Sequence, residues 1–233
     1  MCPVLTLAID CSARLCAAAL HQNDADRILA SASPDIGRGH AEQLPAIVAS
    51  VLAEAGCELS QVERIGVTIG PGSFAGIRVG VSFVRGLALA LGAPCVGVGS
   101  LEAMAIPAAR LGTSPVLAVL DAKRDHVWAL LVDAEGRVLA PGAEFMPEAA
   151  ARLARDSCAR LIGSGAALLA ALDPALAACI IAEPAAPEIA DVARLAARLE
   201  PGANPAEPRY LRDADAKPQT GFALPHQDAS PWL

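Results

Sequence analysis

Residues 4–33 and 115–140 carry the same plan twice, and that repetition is the tightest constraint on the fold. Each copy opens with a short apolar run that ends on an acid, Asp10 in the first and Asp121 in the second. After six intervening residues a second apolar run starts, at Ala17 or Trp128. A polar turn (Asn23-Asp24-Ala25-Asp26, or Ala134-Glu135-Gly136) then leads into a third run at 27–33 or 137–140. Short β-favouring runs joined by polar turns predict a three-stranded meander. Asp10 and Asp121, Ala17 and Trp128, and Leu20 and Leu131 share an offset of 111 by subtraction, while Arg27 and Arg137 fall one short. That difference is expected from polar turns of unequal length. A repeat on this scale predicts two related lobes.

Helices and buried strands fill the intervals. Leu44, Ile47, Val48, Val51, Leu52 and Ala55 recur at helical period over 40–55, with Gly56 as the stop. A buried strand is expected at 64–69, a helix at 74–91, a strand at 94–98 and a helix at 101–110. After the second meander come a helix (147–155), a strand (160–163), a helix (166–172), a strand (180–182) and a helix (188–199). The expected class is α/β. The first lobe spans 1–106 and the second 107–215, whose last helix is a candidate to pack back on the first. A proline-punctuated, loosely held tail follows at 216–233.

Composition narrows the function classes. Hydrophobic residues make up 54% of the 233-residue chain and aromatics only 3%. Net charge is −7, and the arginines are dispersed rather than clustered, which argues against strong nucleic-acid binding by this chain alone. Seven cysteines, odd in number and without C-x-x-C spacing, fit neither a disulfide framework nor a zinc site. The longest apolar stretch, 74–93, carries Arg78 and Arg85, which a membrane span would not tolerate cheaply. With no basic n-region or cleavage site at the start, a cytoplasmic protein is expected.

The acidic strand ends invite comparison with phosphate-binding hairpins, in which glycines let backbone N–H groups approach the phosphate. The turns here, Asp10-Cys11-Ser12-Ala13-Arg14 and Asp121-Ala122-Lys123-Arg124-Asp125, contain no glycine. The stretch Gly70-Pro71-Gly72-Ser73 lacks the Lys-Ser or Lys-Thr of a Walker loop and the spacing of a nucleophile elbow. Ser73 is placed as a helix N-cap, and the helix end it caps stays open to an anion. Interior glycines each cost about 1 kcal/mol of helix stability relative to Ala. Gly76, Gly80 and Gly86 therefore call for a close neighbour, either an internal helix or another chain. None of His21, His40, His126 and His226 pairs at i, i+4, so no zinc-binding helix is expected. His40 beside Glu42 reads as a first-turn polar contact.

Three motifs carry a resemblance. Gly-His-Ala-Glu-Gln-Leu-Pro (39–45), Gly-Pro-Gly-Ser-Phe-Ala-Gly-Ile-Arg-Val-Gly (70–80) and Pro-Arg-Tyr-Leu-Arg (208–212) resemble the TsaB family, formerly YeaZ. The resemblance implies a two-lobed actin-like, RNase H-like (ASKHA) fold without catalysis of its own. It implies pairing with the catalytic paralogue TsaD, with the nucleotide-binding subunit TsaE joining them. That complex transfers a threonylcarbamoyl group to the adenosine beside the anticodon of tRNAs reading codons that begin with A, so tRNA is met only through the complex. The resemblance places homodimerisation and TsaD docking on the two first-lobe helices, with His40, Leu44, Ala75, Gly76, Val79, Gly80 and Phe83 as candidates. Asp10, Ser12, Gly72 and Ser73 are candidate shared phosphate contacts, for ATP or ADP at the interface and not for a cofactor of the chain itself. Where TsaD-like chains carry a metal-binding His-x-x-x-His, this chain reads Ser100-Leu101-Glu102-Ala103-Met104, which removes the ligands.

Two other functions compete. An ATP-dependent small-molecule kinase of the same fold is supported by the two acids and opposed by the missing glycines. A serine peptidase using Ser73 lacks a matching His and Asp.

Overall fold

The computed structural model describes residues 4–211. The tail expected at 216–233, with Cys2, Arg212 and His226, lies outside the described residues. The first lobe is built from β1 (Leu5–Asp10), β2 (Ala17–Gln22), β3 (Arg27–Ala32), α1 (His40–Ala55), β4 (Val62–Gly70), α2 (Phe74–Leu91) and β5 (Cys95–Gly99). The second has β6 (Val116–Lys123), β7 (His126–Val132), β8 (Val138–Phe145), α4 (Pro147–Asp156), β9 (Arg160–Ile162), α5 (Ala166–Leu172) and β10 (Ile180–Ala182). Two helices remain, α3 (Ser100–Ala109) between the lobes and α6 (Ile189–Arg198) after them.

The two sheets have one topology. Strand order is β3-β2-β1-β4-β5 in the first and β8-β7-β6-β9-β10 in the second. In each, the first three strands are antiparallel and the last two run parallel to the first. This duplicated meander with parallel additions is the two-lobed actin-like, RNase H-like arrangement. One detail of the repeat is corrected. Asp10 faces Ala17, but Asp121 faces Val127, so the second strands are related by an offset of 110. The missing residue therefore lies in the connection after the acid, where β6 and β7 continue to Lys123 opposite His126. The polar turn before Arg27 and Arg137 is not its source.

Strands buried on both faces need cover on both. On one face of the first sheet, Leu5, Leu7, Ile9, Ala18 and Leu20 pack against Leu44, Ile47 and Val51 of α1 and Ile77, Val81 and Val84 of α2. The other face presents Ala8, Ala17, Ala19, Val96 and Val98 to Ile189, Val192, Ala193 and Ala196 of α6. Gly66 makes room there, since a Cβ at that position would collide with Ala196. Arg64 donates to the carbonyls of Ala196 and Leu199 at the C-terminal end of α6, where unsatisfied C=O groups favour a cation.

The second sheet is covered by α4 and α5 on one side and by α3 on the other. The lobe boundary expected at 106/107 therefore falls inside a helix, and α3 contributes Leu101, Met104 and Ala108 to the core of the second sheet. The helices have exchanged sheets, with α3 following the first sheet and covering the second while α6 does the reverse. Residues 204–211 then run back over the first lobe. Gly97 N donates to Asn204 O at 2.9 Å and Arg209 N to Ile69 O at 2.8 Å.

Candidate functional site

A cleft of about 730 Å³ opens between the lobes. From the first lobe come Ser12 and Arg14 of the β1–β2 loop, Arg38 and His40 before and at the start of α1, and Gly72 and Ser73 before α2. From the second come Asp121, Lys123, Trp128 and Ser164. The structure brings together Ser12, Gly72 and Ser73, expected as phosphate contacts, and His40, expected on the docking face. The sequence did not signal Lys123, Trp128 or Ser164, whose role depends on how the second lobe faces the first.

Asp10 does not reach this space. Its side chain is 1% exposed, and Oδ1 accepts from Ser12 N at 2.8 Å and from Thr68 Oγ1 at 2.5 Å. Oδ2 is buried without a hydrogen-bond partner. Burial pushes this carboxyl above its ordinary value, against the lowering pull of the Thr68 and Ser12 hydrogen bonds. Asp121 faces the opposite situation. Partial burial pushes it up, but Lys123 outweighs burial by donating through Nζ to Oδ2 at 2.5 Å and through its backbone N to Oδ1 at 2.8 Å. The carboxyl is held below its ordinary value and its charge is already matched. Neither acid stands as an open carboxylate between the lobes, and among the described residues no group of three His, Cys, Asp or Glu side chains is placed to hold a metal ion.

The turn before α2 is closed by its own chain. Ser73 Oγ accepts from Gly76 N at 3.2 Å, as the N-cap reading expects, and Ser73 N donates to Ser12 O at 2.6 Å. A Cβ at Gly72 would strike Ser12, and one at Gly76 would strike the carbonyl of Cys11. His40 secures the same loop from the other side, with Nε2 at 3.1 Å from the carbonyl oxygens of both Ala13 and Leu15. The expected contact of His40 with Glu42 is thus replaced by one with the β1–β2 loop, and among the described residues no His–Asp pair is hydrogen-bonded to Ser73.

This corrects the reading of the helix glycines as openings for a partner. Gly76 and Gly80 are buried; Gly76 admits the backbone of Cys11, while Gly80 lies against the side chains of Val67 and Cys11. Leu44 is fully buried in the first core. Of the seven docking candidates Ala75 is exposed, and His40, Val79 and Phe83 are half-buried. The outer side of α2 continues through Ser82, Gly86 and Leu89, with Gly86 facing open space and Leu89 86% exposed. A groove of about 480 Å³ between Ala41 and Leu44 of α1 and Arg78, Val79, Ser82 and Phe83 of α2 lies on this face.

Sequence reasoning missed the residues that finish the face. Tyr210 stacks on Phe74 with ring centroids 4.8 Å apart, and Arg78 lies over the Phe74 ring at 3.7 Å while its Nε donates to Tyr210 Oη at 3.0 Å. Arg209 anchors that segment through Nη2, 2.7 and 2.8 Å from the two carboxylate oxygens of Glu102. The signal was available, because Arg78 and Tyr210 sit in two of the three quoted motifs.

A family model described as TsaD, tRNA N6-adenosine threonylcarbamoyltransferase, matches residues 31–200. The crystal structure of YeaZ from Pseudomonas aeruginosa is 32% identical, with a TM-score of 0.70, covering 89% of this chain and 100% of that one. The chain belongs to the TsaB/YeaZ family. Escherichia coli TsaB, a tRNA threonylcarbamoyladenosine biosynthesis protein, is 34% identical over 125 residues, 53% of each chain. A tRNA N6-adenosine threonylcarbamoyltransferase from Jannaschia is 35% identical over 144 residues, 61% of this chain and 40% of that one. The chain thus spans about half the length of the curated TsaB relatives it matches, although it covers the whole of the Pseudomonas YeaZ structure.

Proposed function

We propose that this chain is a non-catalytic subunit of the cytoplasmic machinery that makes threonylcarbamoyladenosine in tRNA, and that it docks a TsaD-type transferase on the outer face of α1 and α2. The observation that carries the reading is α2 itself. Among the described residues it is the one helix long and apolar enough to cross a membrane. Its inner side, with Ile77, Val81 and Val84, is committed to the first core, so the helix cannot leave the fold. Its outer side is left exposed and mixed, with Phe74, Ala75, half-buried Val79 and Leu89 interleaved with Arg78, Ser82 and Arg85, and uncovered apolar residues of this kind on a helix face mark a protein interface.

Among the described residues the groups that could act in the cleft are already engaged, which supports a non-catalytic role. Asp10 is sealed, Asp121 is neutralised by Lys123, and Ser73 is spent on capping. Ser100 and Met104, at the place of the TsaD-like metal ligands, are buried within the fold. The family supplies the pathway and the transferase relatives supply the partner class. TsaE joins the assembly, ATP or ADP is held only within it, and tRNA is met through the partner. A homodimer would use the same helix face.

Because Gly76 and Gly80 face inward, the test belongs on the outer positions. Val79→Arg is expected to melt near the parent and Gly86→Arg at or above it, and both are expected to abolish co-elution with TsaD in size-exclusion chromatography. Retained co-elution and full tRNA modification in both variants would overturn the docking assignment. Calorimetry with Mg-ATP on the isolated chain separates this reading from a kinase of the same fold, which requires sub-millimolar binding.

A further inference from the structure

Cys11 and Cys16 stand at the two ends of the loop that joins β1 to β2. The antiparallel register runs through Leu7–Leu20, Ile9–Ala18 and Asp10–Ala17, so the next positions outward, Cys11 and Cys16, face one another. Both emerge on the same side of the sheet, in the buried cluster that holds Leu7, Ile9, Ala18 and Leu20. Both are fully buried free thiols. The proximity of the two thiols pushes Cys11 up from the ordinary thiol value, with burial adding to it, and holds Cys16 below. Residues opposed across antiparallel strands lie roughly 4.5–5.5 Å apart between α-carbons. A disulfide spans roughly 4.4–6.8 Å.

We infer that Cys11 and Cys16 form a reversible disulfide that ties the base of the 12–15 loop and fixes that wall of the interlobe cleft. The loop supplies Ser12, Ala13 and Arg14 to the cleft. It is at present held by non-covalent contacts: hydrogen bonds from Ser73 N to Ser12 O, from Ile36 N and Gly37 N to Arg14 O and from His40 to the Ala13 and Leu15 carbonyls, and the Arg14–Asp35 ion pair. A covalent tie would keep the loop in place when those bonds open.

The oxidant is a low-molecular-weight disulfide such as oxidised glutathione. The Cys16 thiolate attacks one sulfur of the reagent and expels the first thiol. Cys11 then loses its proton and attacks the Cys16 sulfur of the mixed disulfide, releasing the second thiol. Two protons and two electrons leave the pair, and the reagent carries them away as two thiols. With both sulfurs buried, the first attack waits for the loop to open, so exposed Cys158 reacts sooner.

The test starts from the folded full chain with its accessible thiols blocked by iodoacetamide. It is then incubated with oxidised glutathione, acid-quenched, digested and mapped by mass spectrometry. The expected product is one peptide pair joined through Cys11 and Cys16, lighter by two hydrogen atoms and reversed by dithiothreitol. In the oxidised form the amides of residues 13–15 are expected to exchange about tenfold more slowly. Recovery of both cysteines as free thiols, or of Cys16 joined to glutathione or to another cysteine, would overturn the pairing. A linked pair with unchanged exchange would overturn the locking of the loop. Cys11→Ala and Cys16→Ala should each remove the linked peptide; the parent result decides the pairing even if either variant folds poorly.

Discussion

A matched pair of substitutions in α2 separates close packing from helix propensity. Gly76→Ala and Gly86→Ala make the same chemical change in one helix, ten positions apart. On propensity alone each should stabilise the helix by about 1 kcal/mol. At Gly86 nothing lies within 4 Å of a new Cβ, so the gain should appear nearly in full. At Gly76 the new atom would press on the carbonyl of Cys11, nearer than the 3.0 Å that real Cβ contacts respect. That neighbour is backbone, pinned by β1 on one side and by the Ser12–Ser73 hydrogen bond on the other, so α2 or the loop must move. Overpacking of this kind costs about 1–3 kcal/mol or more, and a rigid neighbour places it at the upper end. The net expectation is a loss of about 2 kcal/mol at Gly76 against a gain of about 1 kcal/mol at Gly86. For a chain of this size each kcal/mol moves Tm by about 2–4 °C, so the two variants should bracket the parent by several degrees on each side. Thermal melts and urea midpoints on purified protein measure this. A Gly76→Ala variant that melts with or above the parent would refute the argument that the Cys11 backbone, and not a partner, requires the glycine.

Other perturbations test other parts. Burial raises the folded-state pKa of Asp10, so the folded state holds its proton to higher pH than the unfolded one. The penalty is therefore absent below the unfolded value near 3.8 and grows as pH rises toward the folded pKa. Asp10→Asn should then gain on the parent between pH 4 and pH 8 in urea midpoints, and an unchanged difference would contradict it. Asp26 shows the reverse sign, since its hydrogen bond with His21 lowers its pKa and the contribution is lost as pH falls below about 4. Because Asp26 is half-exposed, Asp26→Asn should cost under about 1 kcal/mol at pH 7, and progressively less as pH falls from 3.8 through the lower folded-state pKa. Tyr210→Ala removes the stack on Phe74 and the hydrogen bond to Arg78, and calorimetry should show a loss of about 1–2 kcal/mol.

The stop of α1 and the start of α2 were readable to the residue, because Gly56 and Ser73 are local signals that hold without tertiary context. Strand β8 was read as ending at Ala140, but it continues to Phe145 past Pro141 and Gly142. The ladder shifts register there, and an edge strand tolerates a bulge at a residue with no N–H to donate. Periodicity reported correctly which residues are buried. It could not report what buries them, so Gly76 was read as open to a partner when Cys11 fills the space. In the cleft, Ser12 and Ser73 were legible from their motif. The ion pair of Lys123 with Asp121 was not, because it depends on a hairpin that closes one residue earlier than the repeat suggested.

The exchange of α3 and α6 between the sheets has a consequence for how the chain acquires its structure. The back of the first sheet stays bare until residues 189–198 arrive, leaving Ala8, Ala19, Val96 and Val98 facing solvent in a nascent chain. Contacts between β1 and α6 span most of the sequence, and such distant closures form late. The two lobes should therefore become native together, in a single cooperative step. A fragment cut at their apparent border is expected to aggregate rather than fold, because each half holds the lid of the other.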